Sequence, residues 1–256
     1  MDLIQALAAE LGKDPRHVEN VVHLLDEGNT IPFIARYRKE LHGAMDDTSL
    51  RTLEERLQYL RGLEERREAV KKSIDEQGKL TDELAAAIDS AKTLAEVEDL
   101  YRPYKQKRRT RATMAKEKGL EPLAALLFAQ ERDCPRLEEA ARDFVDPEKG
   151  VETVEDALQG ASDIIAEQIS DDAAIRKSLR ALISRQGQLV SRAATEDDSV
   201  YRLYYDFTQS VARLQGHQVL AINRGEKEGI LKVSITLDRE QALPLLRRAV
   251  VKPGSA

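Results

Sequence analysis

The start of the chain repeats apolar residues at the spacing of short amphipathic helices. Between residues 3 and 11 the apolar positions recur every three or four residues, which predicts a helix that Gly12 can end. Asp14 followed by Pro15 combines a helix cap with a proline in the first helical turn, so a second helix is predicted to begin there. Gly28 can end this second helix.

A third short helix is predicted after Thr30, which can cap it. Pro32 falls in the first turn, where its missing N–H costs nothing. Phe33, Ile34 and Tyr37 supply the apolar side, and we expect all three to be buried. Three short helices in succession predict a compact unit. Its packing can be helix-turn-helix-like, and such a motif either contacts nucleic acid or serves packing alone.

A long helix is predicted next. Asp46 and Asp47 can cap its start, and Gly78 can break it. Charged residues of both signs occur in equal numbers between residues 51 and 76, which is typical of a solvated outer face. The apolar positions step by three, four or seven residues: Leu50, Leu53, Leu57, Leu60, Leu63, Val70 and Ile74.

Two further helices are predicted before a proline interrupts the pattern. Thr81 can restart a helix, and Thr93 with Glu96 has the spacing of a capping box. The second of these helices is expected to end at Tyr101, because Pro103 disfavours helical geometry in the residue before it. The sequence beyond is expected to continue as a loop.

The end of the chain has the two-residue period of β-strands. Apolar and polar residues alternate from 231 to 237, which predicts a strand with one buried face. The apolar run 219–222 precedes it across a turn containing Gly225 and Gly229, so a β-hairpin is predicted. We therefore expect a mainly α fold, with a helical region over residues 1–190 and a small hairpin-containing segment over 191–256.

Positive charge is concentrated after the predicted helix end. The chain has a net charge of -6, yet residues 102–118 contain eight basic side chains and one acid. Phosphate is the obvious partner for cations held so close together. The candidate nucleic-acid-binding residues are Lys105, Lys107, Arg108, Arg109 and Arg111, with Tyr104 as a ring on which an unpaired base can stack.

Other interpretations of these residues stay open. Residues 131–172 are strongly acidic and should not face a nucleic acid, but they can pair with some of the arginines, and the tyrosines can belong to the core. A second candidate basic set is Arg36, Arg38 and Lys39, for which a solvated or internally paired face is the alternative. Sequence preference is not predicted, because phosphate contacts position a protein without reading bases.

The sequence gives no local signature of an enzyme or a cofactor site. The histidines lack zinc-site spacing, and no phosphate-binding glycine loop is present. The carboxylate pairs Asp46 with Asp47 and Asp197 with Asp198 sit at predicted helix starts, where acids act as caps rather than metal ligands. We expect no metal, no cofactor and no catalysis; a nuclease or other phosphotransferase would need a divalent-metal site.

Membrane insertion is also not expected. No apolar run approaches the roughly 20 residues that cross a bilayer, and the first residues lack the pattern of a signal peptide. The sequence therefore predicts a soluble, cytoplasmic protein.

Four stretches carry a resemblance to a known family. They are NTIPFIARYRKELHGAMDDTSLRTLEERLQYLRGLEERREAV at 29–70, QGKLTDEL at 77–84, LAEVEDLYRPYKQKRRTRATMAKEKGLEPLA at 94–124 and YYDFTQSVARLQGHQVLAINRGEKEGILKVSI at 204–235. Together they resemble the N-terminal region of the bacterial Tex proteins, which are nucleic-acid-binding transcription accessory factors.

The resemblance implies both a function and a longer protein. Family members continue into an RNase-H-like domain, helix-hairpin-helix motifs and an OB-fold RNA-binding domain, so the chain is expected to be a fragment. The implied function is a non-catalytic module that binds the backbone of RNA or DNA without sequence specificity. The alternative is a docking scaffold for RNA polymerase, the ribosome or another transcription factor, with nucleic-acid binding supplied mainly by the later domains.

Overall fold

The computed structural model describes residues 3–131, 134–196 and 198–253. The chain forms two compact units, residues 1–104 and 105–256. Within the described residues the fold is mainly α with one small antiparallel sheet, which confirms the predicted class. The boundary predicted near residue 190 falls inside a β-strand, whereas the two units divide between Tyr104 and Lys105.

The first unit is helical. Its last helix is followed by one tight helical turn, Arg102–Tyr104. The helices are α1 (Leu3–Leu11), α2 (Pro15–Asp26), α3 (Ile31–Tyr37), α4 (Asp47–Asp75), α5 (Asp82–Ser90) and α6 (Leu94–Tyr101).

Polar caps begin several of these helices as predicted. Asp14 Oδ1 accepts a hydrogen bond from the Arg16 amide at 2.8 Å. Asp46 Oδ1 accepts one from the Ser49 amide at 2.7 Å, which confirms its role as a cap. Such bonds satisfy amides that have no partner within the helix, and each contributes about 1 kcal/mol.

The long helix α4 forms the centre of the first core. Its apolar stripe is buried as predicted and packs against α1, α2, α3, α5 and α6. Two arginines on its flank reach other helices: Arg56 donates to Glu10 of α1 at 2.7 and 3.0 Å, and Arg61 donates to Asp26 of α2 at 2.7 and 2.8 Å. These hydrogen bonds hold the pKa of each carboxyl below its ordinary value, since they favour the charged form.

One charged residue of α4 is not on the solvated face predicted for it. Arg67 is 2% exposed. Its two terminal nitrogens donate to Glu64 Oε2 and to the carbonyl of Ala91, each at 2.6 Å. A buried guanidinium needs such acceptors because desolvating an unpaired charge is costly. Arg67 therefore ties α4 to the residue that follows α5.

The second unit combines helices with the sheet. Its strands are antiparallel and lie in the order β2-β1-β3. The elements are α7 (Arg111–Glu117), α8 (Glu121–Ala129), α9 (Leu137–Arg142), α10 (Val154–Asp171), α11 (Ala173–Gln186), β1 (Gln188–Ala193), β2 (Asp206–Ser210), α12 (Gly216–Lys227), β3 (Leu231–Thr236) and α13 (Arg239–Val250).

The predicted hairpin is wrong in its first strand. Residues 219–222 lie inside α12, and β3 pairs with β1 instead, with Leu231 opposite Ala193. A short apolar run does not distinguish a strand from a buried helix by its period alone. Here Gln218 Oε1 accepts a hydrogen bond from the Gln215 amide at 2.9 Å, which stabilises a helix start before the run.

Gly225 is a helical residue rather than the turn glycine predicted. A Cβ at this position would meet Leu231 Cδ1 at 2.6 Å and Tyr201 Cγ at 3.1 Å. Only the absence of a side chain lets α12 approach β3 this closely. Gly229, at a φ of +74°, does have the left-handed conformation expected of a turn glycine.

Within the part of the chain that the structure describes, no helix has both the length and the apolar character needed to cross a bilayer.

Candidate nucleic-acid interface

The cation-rich residues 105–118, called the basic segment below, lie at the beginning of the second unit. The second half of this segment contains the helix α7, which is firmly packed. The buried face of α7, formed by Ala112 and Ala115, belongs to the same core cluster as Ala161 of α10. A Cβ at Gly160 of α10 would lie 3.3 Å from the Ala115 Cβ and would overlap the Leu120 side chain. Small residues therefore let α7 and α10 pack closely and fix the end of the basic segment.

The irregular part of this segment is shorter than predicted. Thr110 Oγ1 accepts a hydrogen bond from the Thr113 amide at 3.0 Å and caps α7. Arg111, predicted to lie in the loop, is the first residue of that helix. Only residues 105–110, named the basic loop below, connect the end of the first unit to α7.

Lys107 is held by carboxylates of its own unit. Its ammonium forms a short ion pair with Asp171 and lies 3.4 Å from Glu167 Oε1. The three side chains are 27%, 12% and 24% exposed, respectively. This is the internal pairing that the sequence left open as an alternative.

The acids that face the segment form one stripe on α10. Asp163, Glu167 and Asp171 are spaced by four residues, so they lie on the same face of the helix. This spacing is visible in the sequence and is the signal that could have identified the partners of the basic segment. Arg111 Nε lies 3.7 Å from Asp163, at the other end of the stripe from Lys107.

Two arginines keep most of their surface in solvent despite their partners. Arg109 Nη2 donates to Glu117 at 2.9 Å and is 69% exposed, and Arg111 is 79% exposed. Exposed ion pairs of this kind contribute about 0 to 1 kcal/mol. A phosphate can therefore compete for these guanidinium groups at little cost.

Lys105 and Arg108 are the accessible cations of the basic loop. Both are exposed, and neither side chain forms a hydrogen bond or ion pair with any residue in the described ranges. The five candidate residues thus fall into three states: Lys107 is paired with two carboxylates of α10, Arg109 and Arg111 form exposed pairs, and Lys105 and Arg108 are unpaired in the described ranges.

Tyr104 is built into the first unit. It is half-buried and packs against the helical core, and its carbonyl accepts a hydrogen bond from Gln77 Nε2 at 3.0 Å. Tyr101 packs against the same core, and its hydroxyl lies 3.0 Å from Ser73 Oγ. Both tyrosines therefore pack against the core of the first unit, which was the alternative to base stacking in the sequence analysis.

The second basic set surrounds an exposed aromatic ring. Arg36 and Lys39 are exposed and have no hydrogen-bonding or ionic side-chain partner among the described residues. Arg38 donates to the carbonyl of Tyr37 at 3.2 Å, and its guanidinium lies 5.2 Å from the centre of the Phe33 ring. Tyr37, the last residue of α3, is 56% exposed, so the prediction that it is buried is wrong.

Two adjacent carboxylate pairs were considered as metal ligands, and the pair Asp46 and Asp47 has structural roles instead. Asp46 is a cap, and Asp47 pairs with Arg51 at 2.8 Å. Asp197, of the other pair, lies outside the described residues. Among the residues that are described, no three His, Cys, Asp or Glu side chains form a group able to hold a metal ion.

Family comparisons agree with the two-part chain. The Tex-like protein N-terminal domain matches residues 1–75, and the Tex central region-like domain matches residues 135–251. The chain belongs to the Tex family, and the resemblance stated from the sequence is confirmed.

Three relatives illustrate the range of similarity. The chain is 46% identical to YdcI of Bacillus subtilis (strain 168), over 99% of the chain and 36% of that protein. It is 42% identical to the transcriptional accessory protein Tex of Neisseria gonorrhoeae, over 92% of the chain and 31% of that protein. It is 30% identical to the S1 RNA-binding domain-containing protein 1 of Homo sapiens, over 92% of the chain and 24% of that protein. The chain thus spans about a third of the two bacterial relatives.

Proposed function

We propose that this chain is a nucleic-acid-associated module of a transcription accessory protein. It attaches to the backbone of RNA or DNA without sequence specificity and performs no catalytic step itself. Support comes from family membership and from two relatives, one named as a transcriptional accessory protein and one as an S1 RNA-binding domain-containing protein.

The unpaired state of Lys105 and Arg108 is the observation that carries the proposal. A cation without an internal partner can bind phosphate without first losing an ion pair, and an arginine can hold two phosphate oxygens at once. Arg109 and Arg111 extend the same cationic segment through pairs that are weak and exposed. Counterion release from the polyanion then supplies much of the affinity.

Lys107 has a different role in this proposal. Its two carboxylate partners on α10 neutralise it and hold the middle of the basic loop against the second unit. An anchored loop loses less conformational entropy when it binds than a free one. Lys107 therefore positions its neighbours rather than contacting phosphate.

Salt dependence tests the proposal. Each lost phosphate contact reduces the slope of log K against log salt by about 0.7 on single strands and about 0.9 on duplex. We expect Lys105→Gln with Arg108→Gln to flatten the slope by about 1.4 on single-stranded RNA. The matched control, Arg142→Gln with Lys149→Gln, removes the same charge from the acidic part of the chain and should leave the slope unchanged. An unaltered slope in the loop variant contradicts the proposal.

A protein-docking scaffold is the second candidate, and a separate observation favours it. Val200 and Leu203 in the second unit are 88% and 84% exposed, and Leu220 of α12 is also largely in solvent. Exposed apolar side chains mark a protein–protein contact when they form a contiguous patch, and Val200 and Leu203 are only three residues apart. Partner capture that survives nuclease treatment and is lost in Val200→Ser with Leu203→Ser supports docking; capture that nuclease abolishes counts against it.

The absence of catalysis is tested by magnesium titration. Phosphotransfer by a nuclease-like mechanism requires a divalent ion held by several oxygen ligands. Calorimetry of the chain with Mg²⁺ should show no saturable binding, and a stoichiometric site would favour an enzyme instead.

A further inference from the structure

We propose that Tyr37 is a stacking platform for an unpaired base, with Arg36 and Lys39 binding the phosphates on either side of that base. The site lies in the first unit and takes single-stranded nucleic acid of any sequence. This inference rests on the proposed function, but it concerns residues separate from the basic loop.

The first step is the position of the ring. Tyr37 ends α3 with more than half of its surface exposed, while Phe33, one turn earlier, lies beneath it with ring centres 5.2 Å apart and planes tilted by 47°. Arg38 covers Phe33 from another side, with 5.2 Å between its guanidinium carbon and the ring centre. The contacts of Phe33 and Arg38 support the Tyr37 ring and leave it open to a ligand.

The second step is the rigidity of the chain around it. The amide of Arg38 donates to the Ile34 carbonyl at 3.0 Å, and the amide of His42 donates to the Arg38 carbonyl at 3.1 Å. Asn20 Nδ2 of α2 donates to the Leu41 carbonyl at 3.0 Å. His42 is buried, so the segment after the ring is fixed at both ends. A base that stacks here does not have to order a flexible loop.

The third step is charge. Arg36 and Lys39 precede and follow the ring in the sequence, are exposed, and have no hydrogen-bonding or ionic side-chain partner in the described part of the chain. Glu40 is the acid of this segment, and it is outnumbered by the cations at 36, 38 and 39. A lone exposed tyrosine needs no explanation, but an exposed ring between unpaired cations matches the two parts of a nucleotide, the base and the phosphate.

The chemistry selects single strands. Every base has a π-face, so stacking on Tyr37 is tolerant of sequence, whereas in a duplex both faces of each internal base are already covered. Removing such a stack lowers affinity by roughly 5-fold to 150-fold per base. The phosphate contacts alone do not distinguish a strand with bases from one without.

The test uses the complete chain and two single strands of equal length, oligothymidylate and the same backbone lacking its bases. The wild-type chain should bind the base-bearing strand more tightly. Tyr37→Ala should reduce this preference by at least about 5-fold, without altering the salt slope, and Tyr37→Phe should keep it. Phe128→Ala, which removes an exposed ring of the second unit, is the matched control and should leave the preference unchanged.

The outcomes separate this inference from the proposed function. One outcome is a flatter dependence of log K on log salt in Lys105→Gln with Arg108→Gln, together with an unchanged preference of Tyr37→Ala for the base-bearing strand. This outcome supports phosphate binding by the basic loop and overturns the stacking site. Equal affinity of the wild-type chain for both strands also overturns it. Loss of a protein partner in Tyr37→Ala with no loss of strand preference assigns the ring to protein docking instead. Circular dichroism of each variant establishes that the fold is retained.

Discussion

Replacing Lys107 with methionine removes the cation between two carboxylates on α10. The Lys107 side chain is 27% exposed, and its partners Glu167 and Asp171 are 24% and 12% exposed, so the pair is partly buried. Exposed pairs contribute about 0 to 1 kcal/mol, whereas breaking a fully buried pair costs about 3 to 5 kcal/mol. Loss of the lysine also leaves two like charges four residues apart, which costs a further few tenths of a kcal/mol.

The expected loss lies between these limits. Asp171 keeps another interaction, which reduces the cost of losing its cation. We therefore expect Lys107→Met to destabilise the second unit by about 1 to 2 kcal/mol. Urea unfolding followed by circular dichroism, with hydrogen exchange of the α10 amides to report on this unit, measures the change.

A matched control is available two residues away. Lys105→Met removes the same charge from an unpaired side chain and should change stability by less than about 0.5 kcal/mol. Adding Glu167→Gln to Lys107→Met should recover part of the loss, since it removes the repulsion that the first substitution exposes. If Lys107→Met is no more destabilising than Lys105→Met, the ion pairs of Lys107 with Glu167 and Asp171 do not stabilise the loop.

Three further predictions concern the folded units. Gly225→Ala should destabilise the second unit by about 1 to 3 kcal/mol in urea unfolding, because its methyl group has no space between α12 and β3. Arg67→Ala should destabilise the first unit by about 3 to 5 kcal/mol, because it leaves a cavity and an unpaired Ala91 carbonyl, whereas Arg67→Met should cost less by filling the space. Arg61 lowers the pKa of Asp26, so this pair stabilises the fold above about pH 4, and the stabilisation is lost as the pH falls below that value. Asp26→Asn should therefore lower the free energy of unfolding by at most about 1 kcal/mol at pH 7 and make its decrease with acid less steep.

Local signals were sufficient for most of the helical fold. The apolar stripe of α4 and the caps at Asp14 and Asp46 depend on residues within a turn or two of each other, and the structure confirms them. The sheet depends on distant partners: β1 lies between two strands that follow it in the sequence, and neither β1 nor β2 was predicted. The run 219–222 was assigned to a strand but lies in α12. Four apolar residues are too few to distinguish the buried face of a helix from that of a strand by their spacing.

The sequence was sufficient to locate the cations of the candidate interface but not to predict which of them have internal partners. The concentration of cations identified the basic segment. The pairing of Lys107 and Arg111, however, depends on acids of α10 that lie more than fifty residues later in the sequence. Helical spacing of Asp163, Glu167 and Asp171 was the available signal. The exposure of Tyr37 could not be deduced from its apolar character, since a residue at the end of a short helix can follow the core or leave it.

Lysine acetylation read by mass spectrometry, in the presence and absence of single-stranded RNA, tests the central claim most directly. In the free chain Lys105 should react faster than Lys107, whose ammonium is paired with Glu167 and Asp171. Saturating RNA should protect Lys105 and leave Lys149, in the acidic part of the chain, unchanged. Equal reactivity of Lys105 with and without bound RNA would contradict attachment through the basic loop.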